Sequence, residues 1–159
     1  CLTNKKGFHM DISTLKYNHQ MQNIHKRRKC EMELKGIDIL NISEVFSFLA
    51  TKEMSLNAAV TIVNNIKILS VPKQVLDEKR NKLISEYALK ENGEIVTNDD
   101  GSVKEITNKK EFNKKMNALF LEEVDIDEMK PVPTKSLSNI TISPQMLAIL
   151  MQFNLIKEE

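Results

Sequence analysis

The distribution of charged and apolar residues divides the chain near residue 31. Residues 1–31 carry seven lysines and arginines against two acidic residues, and residues 32–159 carry sixteen against twenty, although the net charge of the whole chain is +1. No apolar stripe at helical or strand spacing runs through residues 1–31. Because a segment without such a stripe has no face to bury in a core, we expect a disordered basic extension at 1–31 and a single folded domain over 32–159.

The basic extension has three interpretations. Its block of Lys26, Arg27, Arg28 and Lys29 would contact the phosphates of a nucleic acid or the carboxylates of an acidic partner. Alternatively, a purine-rich ribosome-binding sequence would encode the paired arginines, with three residues between them and Met32. The natural product would then begin at Met32, and 1–31 would be upstream sequence. The third interpretation is an extension without a role.

The sequence of residues 32–159 predicts an α+β fold that is mainly α-helical, with about four to five helices, a central β-hairpin and short C-terminal strands. Its first half contains good helix-start residues at Ser43 and Ser55, and a breaker at Pro72. The elements expected there are a strand at 37–40, a short helix after Ser43, a helix at 55–69 and a helix at 74–90 that ends at Asn92-Gly93. Apolar residues nearly surround the helix at 55–69, which predicts burial on most of its surface.

The second half begins with a hairpin signal, the Asp-Gly pair in the turn 98–101, between strands at 95–97 and 103–106. Asn108 and Glu111 have the spacing of a capping box, which starts a helix at 109–122. The remaining elements expected are a strand at 124–127, a linker at 129–138, a strand at 140–142 and a final helix after Ser143-Pro144 with Leu147, Leu150 and Met151 inward. Because a short hairpin joins them, we expect the helices at 74–90 and 109–122 to lie antiparallel. Their apolar stripes would face each other or share the core made by the helix at 55–69. The first stripe is Leu76, Leu83 and Tyr87, and the second is Phe112, Met116, Leu119 and Phe120.

The residues missing from 32–159 restrict the chemistry of the domain. That range contains no histidine and no cysteine, and its only glycines are Gly36, Gly93 and Gly101. A Ser-His-Asp triad, a cysteine nucleophile and a His/Cys zinc site are therefore excluded within it. Neither of the glycine-rich phosphate-binding patterns occurs.

Carboxylates are the remaining candidates for a site. Glu122, Glu123, Asp125, Asp127 and Glu128 cluster where a helix passes into a strand, and they could hold a hard cation such as Mg²⁺ or simply form a solvated acidic face. The turn 98–101 lacks the acid that a calcium loop needs five residues before its glycine, because Val96 stands there. Tyr87 and the methionines are expected to be core residues rather than a catalytic acid or cofactor contacts.

Five stretches follow one another in a recognisable order: Leu83–Ala88, the hairpin 93–106, Lys110–Lys114, Glu122–Ile126 and the closing 140–144 with its final helix. In this order, over roughly 37–157, they resemble a family of small uncharacterised proteins encoded by phages and prophages of Gram-positive bacteria, a domain of unknown function. The resemblance implies a phage setting and a small, mostly helical protein. It implies no activity, cofactor or catalytic residue.

These observations together favour a non-enzymatic protein-interaction, assembly or virion-associated factor of a phage, found in the cytoplasm of the bacterial host or in the virion. The apolar helix at 55–69 would then be covered by a protein partner or by a second copy of the chain. The alternative is a nucleic-acid-binding regulator that uses residues 1–31, and a carboxylate-metal enzyme ranks third. We expect no cofactor, no small-molecule substrate and no membrane association.

Overall fold

A computed structural model describes residues 31–158, and the basic block 26–29 therefore lies outside the described residues. Glu31, the last residue of the expected extension, begins the first strand. The helices are α1 (Gly36–Leu49), α2 (Leu56–Tyr87), α3 (Lys109–Leu121) and α4 (Pro144–Gln152), with a 3₁₀ turn at Thr134–Leu137. The strands are β1 (Glu31–Lys35), β2 (Lys90–Glu91), β3 (Glu94–Ile95), β4 (Glu123–Asp127), β5 (Val132–Pro133) and β6 (Ile156–Lys157). Within this range the expected mainly helical α+β fold is confirmed.

The strands form three separate pairs in the described part of the chain. β1 lies antiparallel to β4, with Leu34 opposite Val124. β2 lies antiparallel to β3, and β5 lies parallel to β6. The expected strand at 124–127 is confirmed as β4, with Ile126 buried and Asp125 exposed. The expected strand at 140–142 is wrong, because that segment forms a bend and the C-terminal strands are β5 and β6 instead.

Helix α1 begins earlier than expected and replaces the expected strand at 37–40. Its buried side chains recur at helical spacing from the first turn onward, and they are Ile39, Ile42, Val45, Phe46 and Leu49. Ser43 is therefore a buried residue inside the helix rather than its N-cap. At the start of α1, the Gly36 amide donates to the Glu122 carbonyl oxygen at 3.0 Å. A Cβ at Gly36 would lie 2.8 Å from the Leu119 carbonyl oxygen, so only glycine allows this close approach of α1 to α3.

Helix α2 is continuous through Pro72, and the expected break there is wrong. Leu69 and Leu76 flank the proline seven residues apart and are both buried. Because Pro72 has no N–H, the helix lacks one backbone hydrogen bond there. The burial of Leu69 and Leu76 on the same face offsets the free energy that this lost bond costs. As expected, Ser55 caps α2, because its hydroxyl accepts from the Ala58 amide.

Two hairpin turns follow α2, and only the second was expected. α2 ends at Tyr87, and Asn92-Gly93 forms the two-residue turn between β2 and β3 instead of a helix cap, with both residues at positive φ. The expected turn at 98–101 is present. Thr97 and Val103 pair across it as an isolated antiparallel bridge, and the Gly101 amide donates to the Asn98 carbonyl at 2.9 Å.

The segment 129–138 is packed against the core, and the expected linker there is wrong. Met129, Val132 and Leu137 are buried in the same cluster as α1 and the first half of α2. Lys130 is held by Asn65 of α2, whose amide nitrogen donates to the Lys130 carbonyl at 2.8 Å and whose oxygen accepts from the Lys130 amide at 3.0 Å. Ser143 caps α4 as expected, but of the three residues predicted inward only Leu150 is buried, whereas Leu147 and Met151 are exposed.

Helices α2 and α3 lie antiparallel, as expected from the hairpin that joins them. Lys79, about two turns before the end of α2, meets Glu122 just after α3, and Glu86 at the end of α2 meets Lys115 in α3. The Tyr87 and Phe112 rings pack edge to face with their centroids 5.8 Å apart. The capping box that starts α3 is also confirmed, because the Asn108 side chain accepts from the Glu111 amide.

The substitution Phe112→Ala should therefore lower the free energy of unfolding by about 2 kcal/mol, because it removes a half-buried ring and its contact with Tyr87. Asp99→Ala in the exposed turn should change it by less than about 0.5 kcal/mol. Urea denaturation of both variants measures the difference. A neutral Phe112→Ala beside a destabilising Asp99→Ala would show that the turn, and not the α2–α3 contact, stabilises this region.

Candidate protein-interaction surface

Helix α2 buries one face and exposes another, so the expectation of burial on most of its surface is wrong. Ala58, Ile62 and Leu69 are fully buried on the inner face. The outer face carries apolar side chains whose exposed fractions are 78% for Leu56, 50% for Val60, 47% for Val63, 66% for Val71 and 45% for Val75. We call these five residues the apolar stripe.

The members of the apolar stripe share one side of the helix because of their spacing. Steps of four and three residues connect Leu56, Val60 and Val63, and a further step of four connects Val71 to Val75. At 1.5 Å per residue the stripe is about 28 Å long. Asn64 and Lys67 are the exposed polar residues near its centre. The stripe is therefore a long, narrow apolar surface with a polar middle.

An apolar cavity of about 270 Å³ opens beside the C-terminal end of the stripe. Val71 and Val75 of the stripe form part of its wall. Further α2 residues and α1, α3 and β4 supply the rest, including Leu119, Val124 and the acidic Asp125. The ion pair between Lys79 Nζ and Glu122 Oε1, at 2.6 Å, lies at this cavity. The cavity and the stripe form one continuous apolar surface, since they share two valines.

Three larger clefts in the described part of the chain are more polar, and two of them adjoin α2. One, of about 750 Å³, lies at the N-terminal end of α2 and is lined by Lys52, Ser55, Lys135 and Ser136. Its serines are engaged, because Ser55 caps α2 and its hydroxyl lies 3.2 Å from that of Ser136. The second, of about 380 Å³, lies between α1 and α2, and its Lys73 and Asp77 pair with each other at 2.7 Å.

The acidic residues expected to cluster at 122–128 point to different partners. Glu122 pairs with Lys79, and Glu123 lies opposite Lys35 in the β1–β4 register. Asp125 is exposed opposite Glu33. Among residues 31–158 no group of three or more His, Cys, Asp or Glu side chains is arranged to hold a metal ion.

The remaining side chains singled out from the sequence have structural contacts. Tyr87 is buried as expected, and Lys115 Nζ lies 4.9 Å from its ring centroid. Hydrogen bonds to Tyr87 and then to Glu86 raise the pKa of the Lys115 amine.

In the turn 98–101, hydrogen bonds from the Ser102 hydroxyl and amide lower the pKa of the Asp100 carboxyl. The Asp100 carboxylate is thus occupied inside its own turn.

Neither the length of the exposed surface nor the cavity was predictable from local sequence. The sequence did contain an excess of apolar residues around 55–69. This excess indicated that a partner covers part of the helix, but it did not show which residues form the exposed face. The alternative nucleic-acid site, Lys26, Arg27, Arg28 and Lys29, lies outside the described residues. No helix among residues 31–158 is long and apolar enough to cross a membrane.

Comparison with known proteins found no matching family model, no matching curated protein and no matching solved structure.

Proposed function

We propose that the domain at 32–159 is a non-enzymatic protein-binding module that uses the apolar stripe of α2. The observation that carries the proposal is the alignment of five exposed aliphatic side chains along one helix face, next to an apolar cavity. Single exposed apolar residues are ordinary, but several of them aligned on one helix face beside an apolar cavity mark a place where another molecule binds. Removing such surface from water contributes about 25 cal/mol per Å².

The chemistry of the surface supports binding rather than catalysis. The cavity wall consists mainly of aliphatic side chains. Of its three charged residues, Lys79 and Glu122 neutralise each other in an ion pair, and Asp125 is the third. The domain sequence supplies neither a histidine nor a cysteine for nucleophilic or general-base work. A flat apolar strip of this length suits the face of a partner helix.

The biological setting is the second part of the proposal. The resemblance of the stretches between 37 and 157 to small phage and prophage proteins supports an assembly or virion-associated factor. Such a factor would work in the cytoplasm of the bacterial host or in the virion. The protein partner, not a small molecule or a cofactor, would then be what the stripe recognises.

Photo-crosslinking in cells tests this function. A photoreactive amino acid at Val71, in the stripe, should yield a covalent adduct with a protein when the chain is expressed in a Gram-positive host that carries the phage genes. The same amino acid at Lys114, exposed on α3 away from the stripe, should yield none. Equal adducts at both positions, or none at Val71 in a folded protein, would contradict the proposal.

A further inference from the structure

Two pairs of residues in the apolar stripe lie symmetrically about the point between Asn65 and Ile66. Leu56 is matched with Val75 and Val60 with Val71, and the polar Asn64 is matched with Lys67. The position matched with Val63 is Ile68, which is partly buried against the core. Mirrored spacing is what an antiparallel pair of identical helices requires, because a two-fold axis brings each position opposite its match in the other copy.

We propose that the apolar stripe binds the apolar stripe of a second copy of this chain, in an antiparallel and two-fold symmetric pair of α2 helices. This inference rests on the proposed function and names the partner of the same surface. Val60 of each copy packs on Val71 of the other near the centre of the contact. The stripe residues are spaced by almost four residues on average, so the stripe runs at an angle to the helix axis. The two helices must therefore cross at an angle for their stripes to overlap, as in the packing of i±4 rows.

The cavity beside the stripe supplies the second argument for a second copy. Leu56 is the most exposed of the large apolar side chains of the stripe, and its matched position, Val75, lines the cavity of about 270 Å³. In the antiparallel pair, Leu56 of each copy therefore lies at the mouth of the other copy's cavity. One chain carries both the projecting side chain and the apolar hollow that receives it. Because the exchange is reciprocal, the contact closes at two copies.

Polar residues at the centre favour the same arrangement. The antiparallel pair places the Lys67 ammonium of one copy beside the Asn64 amide oxygen of the other, where the ammonium can donate a hydrogen bond. A parallel pair would instead place Lys67 against Lys67 and would leave both cavities unfilled. The contact is limited to one helix face of each copy, which makes it a small interface, so the dimer should depend on protein concentration.

Cysteine crosslinking tests the register. In a full-length Cys1→Ser/Cys30→Ser background, Val60→Cys and Val71→Cys proteins are mixed and oxidised. The mixture should give a disulfide-linked dimer, because positions 60 and 71 face each other across the two-fold axis. Neither variant alone should do so, since identical positions lie about 16 Å apart along the helix axis. Self-linking of Val60→Cys, or equal yields in all three samples, would overturn the antiparallel pairing.

Sedimentation equilibrium tests the association itself. The unsubstituted chain should pass from monomer to dimer as concentration rises, and Leu56→Glu should weaken the dimer at least tenfold. Leu56 is exposed at the first position of α2, so a glutamate there leaves the fold intact, which circular dichroism verifies. Leu121→Glu, at an exposed leucine of α3 outside the stripe, should leave the dimer unchanged. A chain that stays monomeric up to about 1 mM overturns the inference. An adduct of Val71 with a different protein would in that case leave the proposed function standing.

Discussion

Replacing Phe46 with alanine is expected to lower the free energy of unfolding by about 3–5 kcal/mol. Phe46 is the largest of the fully buried side chains in the described part of the chain, and it lies in the cluster formed by α1, α2 and the segment 129–155. Truncation removes the transfer free energy of the ring and leaves a void that close-packed neighbours fill only partly. Chemical denaturation, with the midpoint and its slope fitted separately, measures the loss.

Phe48, two residues further along α1, provides the matched control. Its ring is only partly buried and packs under the Lys52 ammonium, 4.5 Å from the ring centroid. Phe48→Ala should therefore cost about 1–2 kcal/mol, since much of the ring is already in water. Equal losses for the two variants would show that α1 does not bury the face assigned to it.

The elements predicted correctly from the sequence are those set by interactions within a few residues. Ser55, Asn108 and Ser143 each accept a hydrogen bond from an amide three residues ahead, so the information for these helix starts is local. Ser43 has the same residue type but stands among Ile39, Ile42 and Phe46, whose burial extends the helix past it. Apolar spacing outweighed capping propensity there.

The errors concern features that depend on distant packing. The continuity of α2 through Pro72 requires Leu69 and Leu76 to be buried by other elements, which local sequence does not reveal. The unpredicted hairpin turn at Asn92-Gly93 had a local signal, since Asn-Gly is a typical two-residue hairpin turn, but a glycine shortly after a helix can also be its cap. Because Asn92-Gly93 was interpreted as a helix cap, the predicted helix ended at Lys90, whereas α2 ends at Tyr87.

The candidate surface was predictable in kind but not in position. The excess of apolar residues at 55–69 indicated a face that needs a partner. Which residues stay exposed depends on where α1 and α3 contact α2, so Leu56 and Val60 could not be separated from Ala58 and Ile62 in advance. The contributions of Val71 and Val75 were hidden by the expected break at Pro72.

Asn65 is the residue whose role was least visible in the sequence, and its substitution is the second large-effect prediction. It stands in the middle of an apolar helix, fully buried, and its side chain makes two hydrogen bonds to the backbone of Lys130, 65 residues away. The amide matches one backbone donor and one backbone acceptor, which fastens the segment 129–138 to α2. These two bonds are also the partners of the fully buried Asn65 amide, which would be unsatisfied without them.

Asn65→Ala should therefore lower the free energy of unfolding by about 2–3 kcal/mol, because the Lys130 N–H and C=O lose their side-chain partner and a small void forms in the core. Asn64→Ala changes the adjacent, exposed asparagine and should change stability by less than about 0.5 kcal/mol. Amide hydrogen exchange adds a local test. In Asn65→Ala the amide of Lys130, which donates to Asn65 Oδ1, should lose protection more than the α1 amides do, since the segment 129–138 is released before the core opens. If Asn64→Ala and Asn65→Ala were equally stable, or if protection at Lys130 were unchanged, the segment would be held by its apolar contacts alone, through Met129, Val132 and Leu137.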